Sequence, residues 1–376
     1  MPYRFSRAIS LLAIASLASP LTVLIGQATP TAKTTPVAFD ADSARLAELP
    51  WRSIGPAVTS GRVVDFAVPE GPKSQIGERL GELFYVASAS GGVWKTANGG
   101  TTWEPIFDHQ GAASIGDIAV APSNPDILWV GTGENNNQRS SSWGDGVYKS
   151  ENAGKTWSNM GLKKSEHIGR IIVHPTNPSI VFVAAAGPLW GSGGDRGLFR
   201  TTDGGKTWKN VKNIDKYTGF TDVIFDPADP NTIYAASLQR ERRPYTYVGG
   251  GPGSGIWKST DAGDTWTRLT EGLPKGDVGR IGLDVSRSSP NIVYATIETK
   301  VTGNGAAQGN TEASIYRSDD RGASWQKAGT PFSYPWYMGQ IRVDPTNPDR
   351  VYFMGVPLQV STDGGRTFRN TAGASR

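Results

Sequence analysis

The sequence predicts an all-β chain folded as a β-propeller of six four-stranded blades. Three observations carry this expectation. A nonapeptide recurs six times, a second apolar phrase interleaves with it, and no stretch keeps a helical period. The nonapeptides are KTANGGTTW at 95–103, KSENAGKTW at 149–157, RTTDGGKTW at 200–208, KSTDAGDTW at 258–266, RSDDRGASW at 317–325 and VSTDGGRTF at 360–368. Their final aromatics lie 54, 51, 58, 59 and 43 residues apart, the period of a propeller blade.

The interleaved phrase is an apolar run, a Pro-rich turn and a second apolar run, as in residues 118–131. It returns at 172–183, 224–235, 282–295 and 341–353, and in stretched form at 66–86. Each repeat therefore offers four short runs, A to D. In the second repeat they are 115–122, 127–132, 146–150 and 156–160, β-branched or aromatic and bounded by Gly, Pro, Asn and Asp. The nonapeptide is the C–D turn. Its fourth residue (Asn98, Asn152, Asp203, Asp261, Asp320, Asp363) can accept backbone N–H groups, and its Gly permits a turn that side chains forbid. These carboxylates are structural rather than catalytic. Trp103, Trp157, Trp208, Trp266 and Trp325 are expected to pack, largely buried, between blades.

Residues 1–7 carry two arginines, 8–25 are apolar, and Gly26-Gln27-Ala28 offers a cleavage site, so residues 1–28 read as a signal peptide. An uncleaved anchor is the competing reading, since the apolar run approaches spanning length. Residues 29–50 form a Thr/Pro-rich linker and 51–376 the propeller. Net charge is +4, or +2 without the leader (36 basic, 34 acidic residues). The longest basic cluster is Arg240-Glu241-Arg242-Arg243, so no nucleic-acid partner is expected. The absence of cysteine excludes disulfides and thiol chemistry. His109, His167 and His174 are scattered, so neither metal nor cofactor is expected. A monomer without membrane contact after cleavage is the expected state.

The repeats resemble the Asp-box, or bacterial neuraminidase, repeat of sialidases, xyloglucanase-type glycosidases, the sortilin N-terminal domain and a photosystem assembly factor family. Trp51-Arg-Ser-Ile-Gly-Pro56, Gly131-Thr-Gly-Glu-Asn135 and Gly146-Val-Tyr-Lys-Ser150 resemble secreted bacterial members most. The likeness runs from Trp51 to Phe368 and specifies fold more than activity. Members are generally longer, which leaves a compact six-bladed propeller or one truncated from a seven-bladed or two-propeller protein. The sialidase Phe-Arg-Ile-Pro motif is missing from the mature chain. The first-blade Asp of xyloglucanases is replaced by Ala89, before Gly91-Gly92.

Boxes occupy one propeller face, so the long B–C loops at 132–145, 186–196, 238–254 and 298–313 fall on the other. They carry Glu134, Arg139, Trp143, Trp190, Arg240, Arg242, Arg243, Tyr245 and Tyr247, while the last D–A loop adds Tyr334, Trp336 and Tyr337. Flat rings beside polar groups suit a glycan or an extended peptide; pinning of the loops is the plainer alternative. The starts of strand A align Arg62, Asp117, Arg170, Asp222, Arg280 and Gln340 at one register position around the channel. Such a ring is either a set of inter-blade ion pairs, each worth about 1 kcal/mol, or a polar ligand cup. Hydrolysis of a glycoside needs two carboxyl groups, and Asp117, Asp222 and Glu134 are the candidates. Three readings stay open: a non-catalytic glycan- or peptide-binding module, a glycoside hydrolase, and an inactive remnant.

Overall fold

The computed structural model describes residues 62–69, 82–299, 312–331 and 334–371. The leader, the linker and Trp51 lie outside these residues, as does most of the 298–313 loop. Six four-stranded sheets follow one another along the chain, each in sequential order with antiparallel neighbours. Blade one is Val63–Ala67, Phe84–Ser88, Val93–Thr96 and Glu104–Pro105, and blade two Ile115–Ala121, Asn124–Thr132, Val147–Ser150 and Ser158–Asn159. Blade three is Ile168–Val173, Val181–Ala185, Gly197–Thr201 and Lys209–Lys212, and blade four Thr218–Asp226, Asp229–Gln239, Gly255–Ser259 and Thr267–Leu269. Blade five is Ile281–Val285, Val293–Thr299, Glu312–Ser318 and Gln326–Gly329, and blade six Gln340–Val343, Val351–Met354, Gln359–Ser361 and Arg369–Asn370. First strands of successive blades touch one another and line the channel. The fold is thus an all-β propeller, with one extra hairpin, Glu241–Arg243 with Thr246–Val248, on the loop of blade four.

The box turns repeat one hydrogen-bond pattern. In all six, the amide four residues after the Asn or Asp donates to its Oδ1 at 2.8–3.0 Å. The Ser or Thr two residues before it accepts the box glycine N–H at 2.7–2.9 Å. That hydroxyl is a partner the repeat displays but composition alone does not announce. The box glycines sit at φ of 83–93°, a conformation L side chains resist. In the four Asp boxes, the other carboxylate oxygen accepts a Thr or Ser hydroxyl at 2.6 Å.

These bonds favour the ionised form. The hydroxyl and amide of Thr265 and the Ser259 hydroxyl pull Asp261 down to about 2, and equivalent bonds do the same for Asp320 and Asp363. Because the folded pKa is depressed, this stabilisation is complete above the unfolded value near 4 and disappears as pH falls towards 2. Urea midpoints measured from pH 5 to pH 2 should therefore decline, and Asp363→Asn should flatten the decline. Blades one and two, with Asn boxes, add nothing to it.

Burial explains how the blades hold together. Apolar clusters join blades one to two, two to three, three to four, four to five and five to six. Between blades six and one, no such cluster forms among the described residues. The back face of blade one is consequently open: Phe66 is 57% exposed, whereas Ile118, its counterpart in blade two, is 3% exposed.

The expected burial of all five box tryptophans is corrected on the same ground. Trp325 is buried, while Trp157, Trp208 and Trp266 are half-buried, and Trp103 is 42% exposed. Trp157 and Trp208 donate Nε1 to Ile106 O and Met160 O of the preceding blade, both at 2.7 Å. Among the described residues no apolar cluster packs a preceding blade on Trp103, whose ring meets Phe84 edge-on.

Candidate functional site

The residues of the channel are set by strand pairing. In each blade, the inner-strand position opposite the residue two past the strand-B aromatic is equivalent. It holds Asp65, Asp117, Arg170, Asp222, Gly282 and Gln340. Arg62 and Arg280 therefore do not belong to this ring, and the alignment that placed them there is corrected. A Gly-Arg or Gly-Asp dipeptide marks the start of the strand in sequence, but the cross-strand register decides the depth of the side chain. A bulge between Val63 and Asp65 displaces blade one further.

The true register makes Arg170 a hub. Its guanidinium lies 4.0 Å from Asp65, 3.7 Å from Asp117 and 3.8 Å from Asp222. Against the penalty of burial, Asp117, Asp222 and Asp65 hold its pKa above the ordinary value. Burial, and then the charge of Asp65, raise the Asp117 carboxyl well above its usual range. Asp117 also accepts Ile171 N–H at 2.7 Å, and Asp222 accepts Leu283 N–H at 2.8 Å. Asp284 accepts Val343 N–H at 2.6 Å in the same manner. Each carboxylate thus staples one inner strand to the next. This occupation, more than their burial, makes Asp117 and Asp222 poor acid–base groups.

Above this layer, a cavity of about 440 Å³ opens where blade six faces blade one. Its polar wall is Arg62, Glu134, Asn135, Asn136, Arg280 and Gln340. Its apolar wall includes Val63, Val64, Met338, Met354 and Leu358. Arg62 pairs with Glu134 and lies 4.8 Å over the Tyr337 ring. Arg280 donates to Asn135 O, while its own amide donates to Glu298 Oε2 at 3.0 Å.

The loop beginning Gly131-Thr-Gly-Glu-Asn135 builds the floor. The Ser114 hydroxyl accepts Glu134 N–H at 3.0 Å, and His167 Nδ1 donates to Glu134 O at 2.8 Å. Burial, with Arg240 and Arg196 nearby, lowers the His167 pKa well below its usual value, so the ring is a neutral hydrogen-bond donor. Glu134 through Asn137 are all buried, an unusual density of polar side chains held by one loop.

The remaining candidates separate. Trp336 and Arg139 line a second cleft with Gln138, Arg242 and Tyr247. Tyr247, expected as an exposed loop ring, is 4% exposed and lies beneath Arg242, which corrects it from a ligand platform to a support. Trp143 (71% exposed) overlooks a hollow with Ser114 and Asp145, and Trp190 and Tyr245 project into solvent. Arg243 pairs with Glu241. Asn135, Asn136, Met354 and Leu358 escaped the sequence reading because each is ordinary in type and meets the others only through blade geometry.

Comparison with known proteins agrees with the fold. The family described as "Sortilin, neurotensin receptor 3" matches residues 145–308. The xyloglucanase Xgh74A of Acetivibrio thermocellus is 25% identical over 77% of this chain, which spans 36% of that protein. A xyloglucanase of Hypocrea jecorina is 31% identical over 43% of this chain and 19% of its own length. The chain thus spans about a third or less of these two relatives. The crystal structure of the GH74 xyloglucanase of Xanthomonas campestris superposes with a TM-score of 0.59 at 17% identity, covering 81% of this chain and 45% of that one. The chain is a β-propeller that resembles sortilin over residues 145–308 and, at low identity, xyloglucanase-type proteins.

Proposed function

We propose that this chain is an exported polysaccharide-binding propeller that holds a glycan across the mouth of its channel without cleaving it. One observation carries this reading. Of the candidate carboxylates, Glu134 alone lines the mouth cavity, and it is tied to Arg62. A glycosidase of the usual kind needs a second carboxyl group across the sugar. Among the described residues the cavity wall supplies none. Exposed rings at Trp143, Trp190 and Tyr245 and the half-buried Trp336 offer further flat faces for sugars on the loops. The relatives are named xyloglucanases, which makes xyloglucan the first ligand to try. Export follows from the basic, apolar and small-residue order of residues 1–28.

Hydrolysis is the second reading, supported by those same relatives and by Glu134. Affinity electrophoresis and a reducing-sugar assay on the same panel of β-glucans, xyloglucan included, separate the two. Retention without release of reducing ends, weakened in Arg62→Ala, is the expected result. Turnover that vanishes in Glu134→Gln would establish the hydrolase instead. Binding to extended peptides with no retention by any glycan would overturn both. N-terminal sequencing of the mature protein should begin near Thr29; an intact Met1 in the membrane fraction would refute cleavage.

A further inference from the structure

On the loop face, two buried arginines are hydrogen-bonded to neutral acceptors rather than to carboxylates. Arg240 has no exposed surface, yet among the described residues its hydrogen bonds reach only Asn136 O and Asn137 Oδ1 at 3.2 Å and Gly187 O at 2.9 Å. Burial, reinforced by Arg196, draws its pKa down to about 9, so it is still charged at neutral pH. Arg196, 3% exposed, likewise donates among the described residues only to carbonyls, Ala186 O at 2.7 Å and Tyr217 O at 3.1 Å among them. Arg242 spends Nε and Nη2 on Asn137 O at 3.1 and 2.6 Å. Of the acids on this face, Glu134 is taken by Arg62 and Glu241 by Arg243. Asp215, then Glu166 and Glu241, act on Arg196 without an ion-pair contact, Glu166 acts likewise on Arg240, and Glu298 caps the Arg280 amide. Cations buried against neutral acceptors are costly, and an incoming anion would relieve that cost.

The relief has a place to bind. A cleft of about 240 Å³ is lined by Gln138, Arg139, Arg242, Tyr247 and Trp336, with no carboxylate among them. Arg242 is pre-oriented there by Asn137 O and by the Tyr247 ring 4.6 Å below it. Arg139 stands across the cleft and depresses the pKa of Arg242 further, after burial, by repulsion. Two guanidiniums that repel one another fit one carboxylate between them, and the Trp336 ring can stack on the sugar that carries it.

We infer that this cleft is an anion subsite that takes the carboxylate of an acidic sugar, such as a uronic acid, within the bound polysaccharide. The inference rests on the glycan reading above and goes beyond it, since that reading needs no charge on the ligand.

The test is titration calorimetry of the full chain with oligogalacturonate, its carboxyl-reduced counterpart and a neutral xyloglucan oligosaccharide. Oligogalacturonate should bind about tenfold tighter than its reduced form, the range for one charged hydrogen-bonded contact. Arg139→Ala and Arg242→Gln should each erase that difference, as should high salt. Arg139 is exposed, so its variant keeps the wild-type melting temperature and isolates the contact from the fold. Equal affinities for the acidic and reduced sugars would overturn the subsite and leave glycan binding intact. No affinity for any of the three would overturn the glycan reading and the subsite together. Tighter binding of a poly-glutamate peptide than of oligogalacturonate would overturn it in favour of an acidic peptide.

Discussion

Arg170→Met should destabilise the propeller by about 3–5 kcal/mol at neutral pH, the cost of removing one partner from a buried charge cluster. The loss exceeds the roughly 1 kcal/mol expected of a simple rim pair. Arg170 serves Asp65, Asp117 and Asp222 at once, from three different blades. Its removal leaves these acids facing one another, with strands stapled through carboxylates that no cation balances. The pH dependence identifies the cause. Burial and Asp65 already raise the folded pKa of Asp117, and loss of Arg170 raises it again. A carboxyl whose folded pKa is raised above its unfolded value near 4 favours folding at low pH and loses that contribution as pH rises. The deficit of Arg170→Met should therefore shrink as pH is lowered from 7 towards 4. Urea denaturation at several pH values measures it; a constant deficit would mean that lost packing, not charge, is responsible.

Trp129→Ala should cost about 3–5 kcal/mol, the range for deleting a buried aromatic from a close-packed interior. The side chain is fully buried between blades two and three, edge-on to Trp208. It also fills the space above the box glycine of the next blade. A methyl group added at Gly205 would lie 2.6 Å from the Trp129 ring. Trp129→Phe should cost a fraction of this, because the indole N–H makes no hydrogen bond among the described residues. Trp103→Ala should cost less than about 1 kcal/mol, since that ring is 42% exposed. Comparable losses from Trp103→Ala and Trp129→Ala would contradict the assignment of five packed junctions.

The glycine contact shows what lay within reach of sequence reading. Trp129, Phe182, Tyr234 and Tyr294 recur at one position of strand B, and each meets the box glycine one blade further on, Gly205, Gly263, Gly322 and Gly365. Both halves of this contact are visible as repeats. That they touch is not, because nothing in the linear pattern says which blade face an aromatic turns towards. The inner-strand glycines are a similar case. A Cβ on Gly116 would lie 2.0 Å from Ile168 O, and one on Gly169 would lie 2.5 Å from Thr221 O. The Gly-Asp and Gly-Arg dipeptides therefore record the close passage of neighbouring strands, and only incidentally the charge that follows.

Local chemistry, repeated six times, determined the blades. The Ser/Thr hydroxyl, the Asn or Asp side chain and the left-handed glycine close each C–D turn with bonds inside a single nonapeptide. Such short-range preferences are legible wherever they occur. Register and neighbourhood were decided only in three dimensions. The depth of Arg62, Arg170 and Arg280 depends on pairing with a second strand, and a displacement of two or three residues separates a channel hub from a cavity wall. The mouth cavity joins residues 62–64, 134–136, 280, 337–340, 354, 355 and 358 from opposite ends of the chain. Those contacts exist because six twisted sheets curve the first blade round to the last. That curvature belongs to the packed ring, and no single repeat contains it.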